Sequence, residues 1–274
     1  MPTDLLHRYL FENRHVRGEL VQLNASYARM LEGHDYPSEI ANLLGEALAA
    51  TCLLTATLKF EGEITLQIQG DGALSLLVIN GRNDQNMRGI ARINGEVPAS
   101  ASFKELIGSG QMVITIAPDK GERYQGIIAL DSNTLTGCIE NYFIRSEQLA
   151  TKLKLFADVE KSTCGGMLLQ ALPGENEQQD FEHLAILVET LSADEVFRID
   201  AQTLLHRLFH EEQVRLYEPQ KVAFKCSCSR ERSMGAIIAM GKEEIASIFA
   251  EQKTIEINCQ YCNKNYQFNA ADFN

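Results

Sequence analysis

Four cysteines crowd the last fifth of the chain, as Cys226-Ser-Cys228 and, thirty residues on, Cys259-Gln-Tyr-Cys262. Two close pairs at that separation read as a four-thiolate zinc site held by Cys226, Cys228, Cys259 and Cys262. The segment around them is small. Its apolar residues (Val222, Phe224, Ile237, Ile238, Ile245, Ile248, Phe249, Ile255, Ile257 and Phe268) suffice only for a modest core, and modules of that size lean on a metal or a disulfide to stay folded. Metal binding would supply that energy directly, so metal loss should melt the module.

The two pairs differ: the second has the common two-residue spacer and the first has one residue. Four bare thiolates together would be prohibitive, and Zn²⁺ leaves a residual charge of about −2. Lys221, Lys225, Arg230, Arg232 and Lys264 are close enough in sequence to offset it and to keep the sulfurs reactive towards electrophiles. If Cys226 and Cys228 lie on an extended segment, their Cα atoms are about 6.6 Å apart, near the upper edge of disulfide geometry, so closing that bond would force the backbone to turn. Structural zinc and redox switching both stay open on these residues.

The 274-residue chain carries a formal net charge of −12, which repels phosphate backbones and argues against nucleic acid as a partner. Residues 221–274 hold seven basic and six acidic side chains, no basic footprint for a nucleic-acid zinc ribbon. No secretory signal is legible between Met1 and Arg17, and the longest apolar stretch, Ile40 to Leu58, reads as a buried helix rather than a membrane span. Seven cysteines, an odd number, fit a reducing compartment, and a cytoplasmic location is expected.

Three regions are expected, with an α+β organisation overall. Residues 1–173 read as a mixed α/β core domain of hairpins and helices. Val16 to Leu23 alternates like a strand, and Pro37 opens a helix to about Phe60. Ile64 to Gln69, turning at Gly70-Asp-Gly72 into Ala73 to Ile79, reads as one hairpin. Met112 to Ile116, turning at Pro118-Asp-Lys-Gly121 into Tyr124 to Leu130, reads as another. Ile139 to Thr151 reads as a helix and Leu153 to Val159 as a strand.

Residues 174–220 form an acidic linker, eleven carboxylates against three arginines, expected as short helices with thin apolar insides. The first presents Phe181, Leu184, Leu187, Val188 and Leu191. Ser192-Ala-Asp-Glu195 has the form of a capping box that would start the second, with Val196, Phe197 and Ile199 inward. A third is read over Thr203 to Tyr217, with Pro219 stopping it. Short helices need docking to persist, so this segment is expected near the low end of local stability. Residues 221–274 make the zinc module.

Elsewhere the chemistry is sparse. Cys164 precedes Gly165-Gly166 with no general base at hand, and it reads, with Cys52 and Cys138, as a buried core thiol. His206 and His210 are four apart but lack the glutamate of a zinc-protease motif, and no phosphate loop or dinucleotide fingerprint occurs. No catalytic set emerges, and an enzyme is not expected.

His15-Val-Arg-Gly-Glu19, Tyr142-Phe-Ile-Arg-Ser-Glu-Gln148, Cys164-Gly-Gly-Met-Leu-Leu-Gln170 and Phe224-Lys-Cys-Ser-Cys-Ser-Arg-Glu-Arg232, with Cys259 to Cys262, resemble in order the bacterial redox-regulated heat-shock chaperones of about thirty-three kilodaltons, an ATP-independent holdase family. The resemblance implies one zinc per reduced, inactive chain, held by the four cysteines. It implies disulfides Cys226–Cys228 and Cys259–Cys262 on oxidation, zinc release, unfolding of the module and loosening of the linker. It also implies partners: unfolding client proteins, ATP-driven foldases that receive them, and a second copy in an oxidised homodimer. Two other readings remain beside it, a constitutive zinc-binding adaptor and a thiol oxidoreductase using Cys259 and Cys262.

Overall fold

The computed structural model describes residues 4–174 and 177–273. Residues 1–3, 175–176 and 274, at the outer ends of the expected core and module and at the start of the expected linker, lie outside the described residues.

The chain opens with the hairpin β1 (Leu5–Phe11) and β2 (Val16–Leu23), then helices α1 (Ala25–Leu31) and α2 (Ser38–Ala56). Strands β3 (Gly62–Gly70), β4 (Leu74–Arg82) and β5 (Asn86–Ile93) follow, with the short helix α3 (Phe103–Ile107). Next come β6 (Gly110–Pro118), β7 (Tyr124–Ala129) and α4 (Leu135–Tyr142), which continues as a π turn over Phe143–Glu147. The hairpin β8 (Thr151–Asp158) and β9 (Thr163–Ala171) leads to helices α5 (Glu177–Glu189), α6 (Ala193–Arg198) and α7 (Ala201–Leu208). Three very short strands come next, β10 (Val214–Leu216), β11 (Gln220–Lys221) and β12 (Ala223–Phe224). Helices α8 (Arg230–Ile238) and α9 (Lys242–Glu251), the hairpin β13 (Ile255–Asn258) and β14 (Asn265–Phe268), and a 3-10 turn at Ala270–Phe273 complete the chain. The architecture is α+β, as expected.

Two six-stranded sheets organise the core. The first runs β10-β1-β2-β9-β8, with β11 also on β1; the second runs β12-β5-β4-β3-β6-β7. Every pairing is antiparallel except β12 on β5. Helix α2 packs against both sheets. Among the described residues it is the one helix long and apolar enough to cross a membrane, yet its apolar window is 83% buried inside the protein. Its buried hydroxyls are satisfied along the helix, Thr51 Oγ1 donating to the Ala47 carbonyl and Thr55 Oγ1 to the Thr51 carbonyl.

Strand β2 departs from the expected alternation, since nearly every residue is buried. The reason is that the first sheet is covered on both faces. Val21 and Leu23 join the cluster around α2, whereas Val16 and Leu20 join a second cluster with Tyr9, Phe11, Met167 and Leu169 under α5–α7. The expected thin apolar inside of those helices is therefore corrected. Leu184, Val188, Leu191, Val196, Ala201, Leu204, Leu205, Leu208 and Phe209 are all buried there, because a sheet face supplies the partner surface that short helices lack alone. The capping box Ser192–Glu195 is formed as expected.

The helix expected over Thr203 to Tyr217 is also corrected. It ends at Leu208, and Val214–Leu216 is a strand instead, pairing with the open edge of β1. Arg14, in the β1–β2 turn, fastens this region by reaching Asp180 of α5 at 2.7 Å and Glu212 at 3.1 Å. The helix expected over Ile139 to Thr151 runs instead from Leu135 through the π turn and stops at Gln148, which takes the left-handed conformation; β8 begins at Thr151.

Glu19 on β2 is 2% exposed, with no hydrogen-bond partner for Oε2. Burial pushes its carboxyl up to about 7 against the pull of Arg17 and Arg8, and burial alone takes Glu46 the same way. The folded chain thus holds a proton that the unfolded chain sheds near pH 4.5. The stability this contributes is complete below that pH and is lost as pH rises through 7. Glu19→Gln is expected to raise the urea stability of the core at pH 8.5 by on the order of 3 kcal/mol while changing it little at pH 4.5. An equal effect at both pH values would contradict a buried, proton-holding Glu19.

Candidate metal centre

The four cysteines converge from two turns. After β12 the chain runs irregularly over residues 225–229 until the Ser229 side chain, accepting from the Arg232 amide, starts α8. Cys226 and Cys228 lie on that run, so the strand that would have put both side chains on one face is absent. Cys259 and Cys262 sit in the tight turn joining β13 to β14, where the Asn263 amide donates to the Cys259 carbonyl at 2.8 Å and the Cys259 amide to the Lys264 carbonyl at 3.0 Å. Asn263 takes a positive φ of 54°, which asparagine tolerates better than most residues.

All four Sγ atoms lie within 4.8 Å of one another. Two contacts cross between the pairs, Cys226 to Cys259 and Cys228 to Cys262, each 3.5 Å. Tetrahedral zinc with Zn–S bonds of about 2.3 Å sets sulfurs about 3.8 Å apart, so this donor set fits a single zinc-sized ion. Burial, with the neighbouring sulfurs adding to it, pushes the Cys226 thiol up to about 12. Cys228 is drawn down to about 7, burial being outweighed by the Tyr266 hydroxyl, which donates to its Sγ at 3.2 Å, and by the other thiols.

Three of the five basic residues near in sequence are engaged elsewhere than on the sulfurs. Arg230 is committed to the Gln267 carbonyl, Asp272 and the Phe268 ring, and Arg232 holds the Ser227 carbonyl between the first two cysteines. Lys264 lies over the Tyr266 ring. The module's own core is small, with Ile237, Ile245, Ile255, Tyr266 and Phe268 buried and Ile238 exposed. Val222 and Phe224, read as part of it, belong to the core around α2 instead, because β12 is an added edge strand of the second sheet.

Residues far in sequence seat the centre. Tyr261, the spacer between Cys259 and Cys262, donates its hydroxyl to Asn80 Oδ1 at 3.2 Å, and its ring lies 4.6 Å from the Arg88 guanidinium. Arg88 also donates to the Ser227 hydroxyl, Arg92 to Gln260, and Asn263 to the Gly33 carbonyl. Asn80 and Arg88 are cross-strand partners on the face of the second sheet turned away from α2. Sequence reasoning missed these contacts; the available signal was the polar alternation Asn86, Arg88 against buried Met87 and Gly89.

No other group of metal-ligating residues occurs among the described residues. Cys52, Cys138 and Cys164 are buried with thiols pushed up by burial, as expected of inert core cysteines. His210 falls beyond the end of α7 and so is not on one helix with His206.

Residues 4–269 match the family described as Hsp33 protein. A 33 kDa chaperonin of Shewanella woodyi is 56% identical over 273 residues, covering 99% of this chain and 95% of that protein. A 33 kDa chaperonin of Escherichia coli O7:K1 is 54% identical over 272 residues, covering 98% and 93%. The crystal structure of the 33 kDa chaperonin of Thermotoga maritima aligns with a TM-score of 0.83 across 98% of this chain and 96% of its own, at 21% identity, a likeness of fold alone.

Proposed function

This chain belongs to the Hsp33 family, a chaperone family, and on that premise we propose that it is a redox-regulated, ATP-independent holdase. The observation that carries the reading is the cluster of four half-buried thiols at the heart of a module with only five buried apolar side chains. In the reduced chain Cys226, Cys228, Cys259 and Cys262 hold one zinc ion, which supplies a cross-link between the two turns, and the protein is inactive.

Oxidation then joins Cys226 to Cys228 and Cys259 to Cys262. Each pair gives two electrons to one peroxide: an S–S bond forms, the O–O bond breaks, and two protons per pair, from thiol or solvent, complete two waters. Disulfide sulfurs offer a metal no thiolate charge, so the oxidised pairs cannot keep the ion, and the module unfolds. Both new bonds also bring the two sulfurs of a pair to about 2 Å, whereas tetrahedral sharing of one zinc ion keeps them about 3.8 Å apart.

The division into a core (1–173), a switching linker (174–220) and a zinc module (221–274) follows from this reading. Losing the module undocks the β10–β12 segment and α5–α7, and the sheet face bearing Tyr9, Phe11, Val16, Leu20, Met167 and Leu169 opens to unfolding clients. The high negative charge keeps the opened form dispersed, with a second copy as a further cover, and clients pass later to ATP-driven foldases. Nothing in the scheme requires catalysis, and a reducing cytoplasm would hold the switch off.

Peroxide-treated protein is expected to suppress light scattering by a thermally unfolding enzyme with no nucleotide present, and a thiol reductant with zinc is expected to abolish that activity. Mass spectrometry of alkylated digests should show only the 226–228 and 259–262 linkages. Activity indifferent to peroxide would favour the constitutive adaptor, and repeated turnover of a dithiol substrate would favour an oxidoreductase.

A further inference from the structure

The stretch joining the acidic helices to the cysteines runs along two sheet edges in succession. In residues 213–225, β10 pairs antiparallel with β1 at Phe11, Leu10 and Tyr9, β11 pairs with β1 at Leu6 and Leu5, and β12 pairs parallel with β5 at Asn86 and Met87. Its main chain is held along both edges. The Tyr217 amide donates to the Arg8 carbonyl at 3.0 Å, Val222 to Asp4 at 2.8 Å, Ala223 to Gln85 at 3.0 Å and Lys225 to Met87 at 2.8 Å, while the Glu12 amide donates to Gln213 at 2.9 Å. Side chains are read in alternation. Val214 stands opposite Phe11 and Leu216 opposite Tyr9, both packed on the second cluster, and Val222 is 1% exposed in the first.

We propose that β1 and β5 are client-binding edges, and that residues 213–225 occupy them in the resting protein as an intramolecular stand-in for an extended client. The proposal rests on the reading above, in which oxidation undocks this segment. Once it leaves, β1 and β5 present unpaired N–H and C=O groups, which template the addition of another strand. The ligand class is an unfolded polypeptide in extended form, with apolar side chains at i and i+2 to meet Tyr9 and Phe11 and no other sequence requirement. Main-chain pairing supplies affinity without specificity, which is what a holdase serving many clients needs. The opposite edge of the first sheet is differently made: β8 carries Lys152 and Lys154, both bridged to Glu189, a charged rim that discourages strand addition.

The test uses the full-length oxidised chain and a fluorescent synthetic peptide of residues 213–225, which contains no cysteine. Anisotropy should show the peptide binding the oxidised protein at least tenfold more tightly than the reduced, zinc-loaded one. N-methylation at Tyr217 and Val222, which removes two donating amides and keeps every side chain, should weaken binding at least tenfold. The unlabelled peptide should displace reduced, carboxymethylated α-lactalbumin, a permanently unfolded probe. If the oxidised protein holds α-lactalbumin and the peptide does not displace it, the edges are not the client site and the holdase reading stands. If the peptide binds but α-lactalbumin is never held, the holdase reading falls, and these edges with it as a client site. Equal binding of the N-methylated peptide overturns main-chain pairing. A peptide that splits oxidised dimers in the ultracentrifuge while leaving α-lactalbumin bound assigns the edges to self-association and overturns the proposal.

Discussion

Replacing Cys226, Cys228, Cys259 and Cys262 together by serine is expected to abolish zinc binding and to leave a chaperone that is partly active with no oxidant. Serine hydroxyls are poor ligands for this metal, and the module without its cross-link retains five buried apolar side chains to order roughly fifty residues. Structural zinc contributes on the order of 10 kcal/mol to small modules of this kind, far more than such a core can replace. The Tyr261 contacts to Asn80 and Arg88 and the Asn263 contact to Gly33 should go with it, because they depend on the turn that the cysteines close. Bound zinc, by elemental analysis, should fall from about one per chain to none. Zinc retained in that variant would count against the ligand assignment, and a variant that stays folded and inactive would separate the module from the switch.

Leu204→Asp is expected to activate the protein from the other side, with zinc still in place. Leu204 is 1% exposed in the cluster between α5–α7 and the first sheet, and a carboxylate there would be both desolvated and unpaired. The cost, roughly 3–5 kcal/mol, exceeds what three helices of 13, 6 and 8 residues have in reserve, so the helices should lift from the sheet. The module's own core shares no buried residue with that cluster and should keep its metal. Aggregation suppression by the reduced variant, with zinc content unchanged, would place the client surface beneath the helices. A variant with exposed helices and no client binding would remove that surface from the account. Arg14 adds a related constraint, since its contacts to Asp180 and Glu212 tie both ends of the segment to the β1–β2 turn.

The parts of the fold that were legible in the sequence are those whose order is local. The hairpins β3–β4 and β6–β7 alternate with period two and turn at glycine-rich or Pro-Asp-Lys-Gly corners, and α2 is long and rich in alanine and leucine. The four sulfurs were legible because metal-ligand spacing is a sequence property. Strand β9 was not legible, since Thr163–Ala171 is buried almost throughout and carries no period-two alternation. The glycines there serve close packing: a Cβ on Gly166 would stand 2.3 Å from the Lys154 carbonyl oxygen, and one on Gly165 would stand 2.5 Å from that of Val21. Strands β10, β11 and β12, two or three residues each, are too short to show a period and exist only because distant edges complete them. The seat of the metal centre was hidden for the same reason. Arg88 and Asn80 meet Tyr261 across more than 170 residues, and nothing near Cys259 or Cys262 in sequence announces them.

Hydrogen exchange across the full chain before and after peroxide, with bound zinc counted in the same samples, tests the coupling of metal to linker most directly. Zinc should fall from about one per chain to none, and exchange should accelerate across residues 181–217 while residues 64–79 remain protected. Zinc lost with residues 181–217 still as slow to exchange as before would contradict it.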